Sequence, residues 1–246
     1  MALNLTIDQG NTAAKLALWE GDGLVDIAVE PILTPEVVRG FVARYGVVDN
    51  VMYCSVVCRG DKLLRDIREM ASGRVMRLKS DMPLPVKIDY GSPGTLGADR
   101  IAAAVGARTV YPDTDLLVVD AGTAVTYDAV TADGRFIGGN IAPGMRMRLD
   151  ALHRYTARLP QVEVPREIKY DRFLGYDTAS AMILGAVYGI VGAISYYHAH
   201  LPKGTKVVMT GGWAKELSGL CDFDVAVDPN LVSKGLNRIL LYNEDK

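Results

Sequence analysis

Apolar residues in this chain fall into short runs that end at aspartate and glycine, and the run pattern occurs twice. LNLTIDQGNTAAKLALWE begins at residue 3 and LLVVDAGTAVTYDAVT at residue 116. In each, a β-rich run stops at an aspartate, a glycine-containing turn follows, and an alternating strand returns, which predicts a hairpin with a polar tip. Aligning Asp8 with Asp120 places Gly10 on Gly122, an offset of 112 in a chain of 246 residues. An offset near half the length reads as an internal duplication. Gly21, Asp22 and Gly23 turn the first copy onward, and Asp133 with Gly134 turns the second into FIGGNIAPG.

Between the copies the pattern predicts a strand over 51–57, a polar helix over 62–70 and an apolar helix over 98–111. After them come a helical region around 143–157, a small-residue helix over 178–197, the strand KVVMTGGWA and a short terminal helix. The proline-bearing stretch Tyr111 to Asp115 is taken as the link, giving halves 1–113 and 114–246. Strands mixed with helices make the class α/β.

Composition narrows the function classes. A formal net charge of -2 with 23% charged residues leaves no footprint for nucleic acid, and 49% hydrophobic residues suffice for a sizeable core. Cys54, Cys58 and Cys221 are an odd count, expected of a reducing compartment, so the cytoplasm. Cys54 and Cys58 sit in VMYCSVVC and read as small core residues rather than zinc ligands. His153, His198 and His200 are read as surface or packing residues. The amino terminus reaches Asp8 too early for the apolar core of a signal peptide, so export is not expected. Ala179 to Tyr197 carries no charge and is about long enough to span a bilayer, but its glycines and serines equally suit close helix packing in a core or dimer. No membrane association is expected. The arginines of RMRLDALHRYTARLP are read as a solvated helix face.

The candidate chemistry sits at the turns. Asp8, Gln9, Gly10, Asn11 and Thr12, with Lys15 beyond, form a tight turn whose backbone N–H groups can meet phosphate oxygens while the carboxylate holds magnesium or its water shell. One such turn is also what an ordinary hairpin looks like; the second copy, Asp120 to Thr126, favours phosphate binding. Thr123 can donate its hydroxyl to a phosphate. In Met209 to Trp213, Gly211 and Gly212 follow a strand where bare backbone could lie against a base or ribose. Gly97, Ala98, Asp99 and Arg100 open an apolar helix. Asp99 reads equally as a helix cap or as the carboxylate that accepts a proton from an attacking hydroxyl. Arg100 offers a planar fork to a carboxylate or phosphate.

The order of two phosphate turns and then Gly-Gly before a helix resembles the superfamily of actin, Hsp70-type chaperones and sugar kinases. This implies duplicated actin-like, ribonuclease H-like domains, each a mixed β-sheet flanked by helices, that sandwich ATP. The chain most resembles type III pantothenate kinases, through Asp8 to Thr12, Gly97 to Arg100, Asp120 to Ala124, Pro143 with Gly144, Gly175 with Thr178, and Thr210 to Gly212. The resemblance implies ATP contacts from Asp8, Gln9, Gly10, Asn11, Thr12, Ala13, Ala14, Lys15 and Thr123. It places magnesium near Asp8 through the phosphates, a monovalent cation (potassium or ammonium) on Asp120, and adenosine beside Gly211 and Gly212. Pantothenate would meet Tyr90, Gly97, Ala98, Asp99, Arg100 and Thr178, the last from its own or a neighbouring subunit, with Asp99 as base. Family precedent implies a homodimer. A superfamily kinase for a sugar or other alcohol, or a non-catalytic nucleotide-binding regulator, stand as alternatives.

Overall fold

The computed structural model describes residues 2–56, 60–165 and 172–244. Two sheets share one strand order. In the first, β1 (Leu3–Gln9), β2 (Ala14–Glu20), β3 (Gly23–Glu30), β4 (Asn50–Ser55) and β5 (Val75–Arg77) run β3-β2-β1-β4-β5. The second contains β6 (Lys87–Ile88), β7 (Leu116–Ala121), β8 (Ala124–Val130), β9 (Arg135–Pro143), β10 (Lys206–Thr210) and β11 (Val225–Val227), ordered β11-β10-β7-β8-β9-β6. Apart from the short β6, the second order is the first repeated. In both, the first strand pairs antiparallel with the next and parallel with the fourth. The duplication expected from Asp8 and Asp120 is thus a duplication of topology.

The chain divides into two compact units. One comprises Met1–Asp113, Thr131–Ile137 and Asn230–Lys246; the other comprises Thr114–Val130 and Gly138–Pro229. In the first unit, Leu5, Ile7, Leu16 and Leu18 leave one face of the sheet for a core with Val38, Phe41 and Val42 of α1 (Pro35–Val42) and with Ile67 of α2 (Gly60–Arg68). Thr34 caps α1 by accepting from the Val37 N–H. The opposite face of β1 carries Asn4 and Thr6, and both are fully buried. Trp19 Nε1 donates to Thr6 Oγ1 at 2.9 Å, and Asn50 Nδ2 to Asn4 Oδ1 at 3.1 Å, so the Thr6 hydroxyl and the Asn4 amide oxygen are bonded across strands.

Helix α3 (Ala98–Val110) crosses α7 (Leu231–Glu244) in the same unit with backbone against backbone. A Cβ on Gly235 would lie 1.8 Å from the Ala102 carbonyl oxygen, and one on Gly106 2.1 Å from that of Leu231. The terminal helix is 14 residues long rather than short, because Leu231, Val232, Leu236, Ile239 and Leu240 bury a face over its whole length. The predicted strand over 51–57 ends at Ser55, and Val57 and Cys58 lie outside the described residues.

In the second unit β7 is apolar and buried from Leu116 to Val119, as a strand covered on both faces requires, before it reaches Asp120. Helices α4 (Met145–Arg154), α5 (Thr178–His200) and α6 (Ala214–Ser218) accompany the sheet. Met182, Ala186, Val187, Ile190 and Ile194 place α5 in the core with Val119, Tyr127 and Met209. Although long and apolar enough to cross a membrane, α5 has this buried face and opens with a capping box between Asp177 and Ser180, as a core helix does. The histidines lie at the surface or pack there: exposed His200 Nδ1 meets the Tyr196 carbonyl at 2.7 Å, exposed His153 Nδ1 that of Leu159 at 2.9 Å, and half-buried His198 lies against Phe223.

Candidate functional site

The first candidate cluster is at the C-terminal end of β1. Asp8 pairs with Lys15 across the hairpin and with Cys54 on β4, and the Gly10 N–H donates to the Ala13 carbonyl at 3.0 Å. Asn11 and Thr12 are left exposed at the tip, and Ala14 is buried beneath it. Gln9 is held from β4, since Tyr53 Oη donates to Gln9 Oε1 and Ser55 Oγ does so at 3.2 Å. Neither partner was foreseeable from the motif, because the β1–β4 pairing joins residues far apart in sequence.

Asp99 approaches the same region. Burial pushes the Cys54 thiol well above its ordinary value, and the nearby carboxylates of Asp8 and then Asp99 push it further, against Arg77. Both acids therefore lie within electrostatic reach of one buried sulfur. Iodoacetamide at about pH 8 is expected to leave Cys54 unmodified in the folded protein and to alkylate it in urea, as read by peptide mass spectrometry.

Asp99 does not cap α3; Gly97 occupies the N-cap with no side-chain bond, and Asp99 Oδ1 instead accepts from the Arg100 N–H at 2.8 Å. A Cβ on Gly97 would stand 2.5 Å from that oxygen, so the bare residue makes room for the carboxylate. Arg100 is 5% exposed. Its guanidinium carbon lies 5.8 Å from the Tyr90 ring centre and 5.6 Å from that of Phe136, and the two rings meet edge-on at 6.0 Å. Tyr90 and Phe136 thus hold the planar fork in place by cation–π contact. Phe136 is the member of this group that sequence reading missed, and its place on β9 beside β6 supplies no local signal.

The second cluster gathers three glycine turns around Asp120. The Gly122 N–H donates to the Ala124 carbonyl at 3.1 Å, which closes the hairpin tightly and leaves Thr123 exposed at its tip. Gly211 has φ +93, and a Cβ there would lie 2.5 Å from Asp120 Oδ1 and 2.6 Å from the Ala121 carbonyl carbon. Gly211 therefore lets the turn after β10 lie on the carboxylate, and the Trp213 N–H reaches the Ala121 carbonyl at 3.2 Å. Gly212 is exposed beside it. Gly144 closes the third side: its N–H donates to the Thr123 carbonyl at 3.1 Å, and a Cβ would stand 2.4 Å from that oxygen. Thr178 is exposed at the first turn of α5, where Gly175 folds back onto Ala181.

No three His, Cys, Asp or Glu side chains cluster as a metal site among the described residues. At this turn Asp120 presents a carboxylate, a hard oxygen donor of the kind that could hold a cation.

Comparisons with known proteins agree with this architecture. The family model for type III pantothenate kinase matches residues 4–200. The type III pantothenate kinase of Porphyromonas gingivalis is 38% identical over 250 residues, covering 99% of this chain and 100% of its own length. That of Phocaeicola vulgatus is 36% identical, covering 98% and 99%. Among solved structures, a conserved putative Baf family transcriptional activator from Campylobacter jejuni superposes with a TM-score of 0.65 at 22% identity, over 98% of this chain and 100% of that one. A putative 2-dehydro-3-deoxygalactonokinase from Sinorhizobium meliloti gives 0.62 at 13%, over 98% and 99%. At such identities the structures establish the fold, the duplicated actin-like α/β architecture of sugar kinases. With the family model covering most of its length and relatives above 30% identity matched end to end, the chain belongs to the type III pantothenate kinase family.

Proposed function

We propose that this protein transfers the γ-phosphoryl group of ATP to the primary hydroxyl of pantothenate, giving 4'-phosphopantothenate at the entry to coenzyme A biosynthesis. The end-to-end match to type III pantothenate kinases carries this reading. The hairpin residues Asp8, Gln9, Gly10, Asn11, Thr12, Ala13, Ala14 and Lys15, and Thr123 on the other hairpin, take ATP. Gly211 and Gly212 accept adenosine against bare backbone. Phosphoryl transfer needs a positioned alcohol, a proton acceptor and spread charge. Asp99 accepts the proton, supported by the Arg100 N–H bond that orients its carboxylate, and Arg100 meets the pantothenate carboxylate alongside Tyr90, Gly97 and Ala98. Magnesium arrives on the phosphates near Asp8. Potassium or ammonium held at Asp120 offsets phosphate charge when bound.

A cytoplasmic homodimer completes the proposal. It is supported by the exposed stripe of α5, in which Ala181, Gly185, Gly192 and Tyr196 recur at helical spacing, and by Tyr155 at 80%, Phe173 at 73% and Tyr176 at 76% exposure in the same unit. Exposed aromatic side chains beside a helix stripe of small residues are features an interaction site would use. Thr178 contributes to pantothenate binding in its own or the partner subunit.

The test is an ADP-release assay with product mass spectrometry, run in potassium and then in sodium. Phosphopantothenate should form, with sodium slowing it on the order of tenfold. Phosphorylation of a sugar with pantothenate ignored overturns the acceptor, and equal rates in both salts remove the cation from Asp120.

A further inference from the structure

Arg148 is a residue the kinase reading leaves without a task. It lies one turn into α4, and its side chain folds back over the start of its own helix, where Nε donates to the Pro143 carbonyl at 2.8 Å. The same peptide unit presents the Gly144 N–H, which donates to the Thr123 carbonyl at 3.1 Å. One peptide group is therefore held from both sides, by a cation on its oxygen and by the hairpin tip on its nitrogen. A charged donor on the carbonyl polarises the amide and strengthens the bond its N–H makes.

The guanidinium has a prepared seat. A Cβ on Gly189 of α5 would come within 2.8 Å of Arg148 Nη1, so the bare backbone there leaves space for the fork. Gly144 is equally constrained, since a Cβ would stand 2.4 Å from the Thr123 carbonyl oxygen and 2.5 Å from that of Gly122. With backbone packed this closely there is no slack at the contact, so a shift of the Pro143–Gly144 peptide is passed directly to the Thr123 carbonyl.

We propose that Arg148, seated on Gly189, is a positioning residue that fixes the Thr123 hairpin through the Pro143–Gly144 peptide. The proposal rests on reading that hairpin as a phosphate-binding element. A displaced hairpin weakens nucleotide binding and leaves the acceptor site alone, because misplacement of a positioned group by about 1 Å is enough to change binding and rate markedly.

Steady-state kinetics of Arg148→Ala, Gly189→Ala and Thr123→Val provide the test. Arg148→Ala should raise KM for ATP about tenfold with KM for pantothenate unchanged, and low-millimolar guanidinium, but not methylammonium, should restore part of the loss. Gly189→Ala, which unseats the flexible guanidinium without meeting backbone, should give the same KM split, and adding it to Arg148→Ala should change nothing further. A raised ATP KM in Thr123→Val with Arg148→Ala at the native value overturns the positioning role and leaves the phosphate reading intact. Native ATP KM in both variants overturns the phosphate reading and the inference together. Equal rises in both KM values without guanidinium rescue reduce Arg148 to general stability and overturn the proposal.

Discussion

Asp99→Asn is expected to lower turnover about 10²- to 10⁴-fold with ATP binding unchanged. The substitution separates local structure from proton acceptance. Asn presents the same oxygen to the Arg100 N–H, the bond of 2.8 Å by which Asp99 is oriented, and it is small enough for the space that Gly97 leaves. The first turn of α3 and the Arg100 fork between Tyr90 and Phe136 should therefore persist. What an amide cannot do is take the proton of the attacking hydroxyl, and a general base contributes an effect of this size. Single-turnover kinetics beside a calorimetric ATP titration measures both halves of the claim. Turnover close to the native rate removes Asp99 from the mechanism, and lost ATP binding moves it into the nucleotide site.

The hairpins were legible in the sequence because their signals are local. An alternating run stopping at Asp8 or Asp120, with glycine two residues on, specifies a turn whatever surrounds it. The neighbours of those turns were not legible. Tyr53 and Ser55 reach Gln9 only through a parallel pairing, and parallel strands are joined by long crossovers whose register no short pattern records. The same applies to Phe136 beneath Arg100. A second group of differences comes from tertiary context overriding a local rule. Asn4 and Thr6 alternate with Leu3, Leu5 and Ile7 as if one face of β1 were wet, yet both are buried and hydrogen-bonded. Asp99 has the composition of a cap, but the backbone starts α3 at Ala98 after the bare Gly97, which shifts the carboxylate into the first turn. The glycine motifs, in contrast, were correct as motifs and silent about their reason: Gly211 and Gly144 are bare because other backbone lies within 2.6 Å of where a side chain would start.

Gly235→Ala supplies a second large effect, this time on stability. Helix propensity alone predicts a gain of about 0.5–1 kcal/mol, since alanine restricts the unfolded chain and glycine interrupts a helix. Packing predicts the reverse. A methyl group at Gly235 would sit 1.8 Å from the Ala102 carbonyl oxygen, and the obstruction is the backbone of α3, which cannot rotate aside as a side chain can. The crossing is also tight from the other helix, where Gly106 faces the Leu231 carbonyl. The helices must separate, which loosens the face formed by Leu231, Leu236, Ile239 and Leu240. Overpacking of this kind costs about 3 kcal/mol or more and outweighs the propensity term. In a chain of this length that corresponds to a fall in Tm of roughly 6–12 °C. Gly40→Ala is the control, since Gly40 lies in α1, is exposed and has nothing within 4 Å of the added carbon. It should leave Tm unchanged or slightly raised. If Gly235→Ala behaves like Gly40→Ala in calorimetry, α3 and α7 do not touch backbone to backbone, and the crossing described for the first unit is wrong.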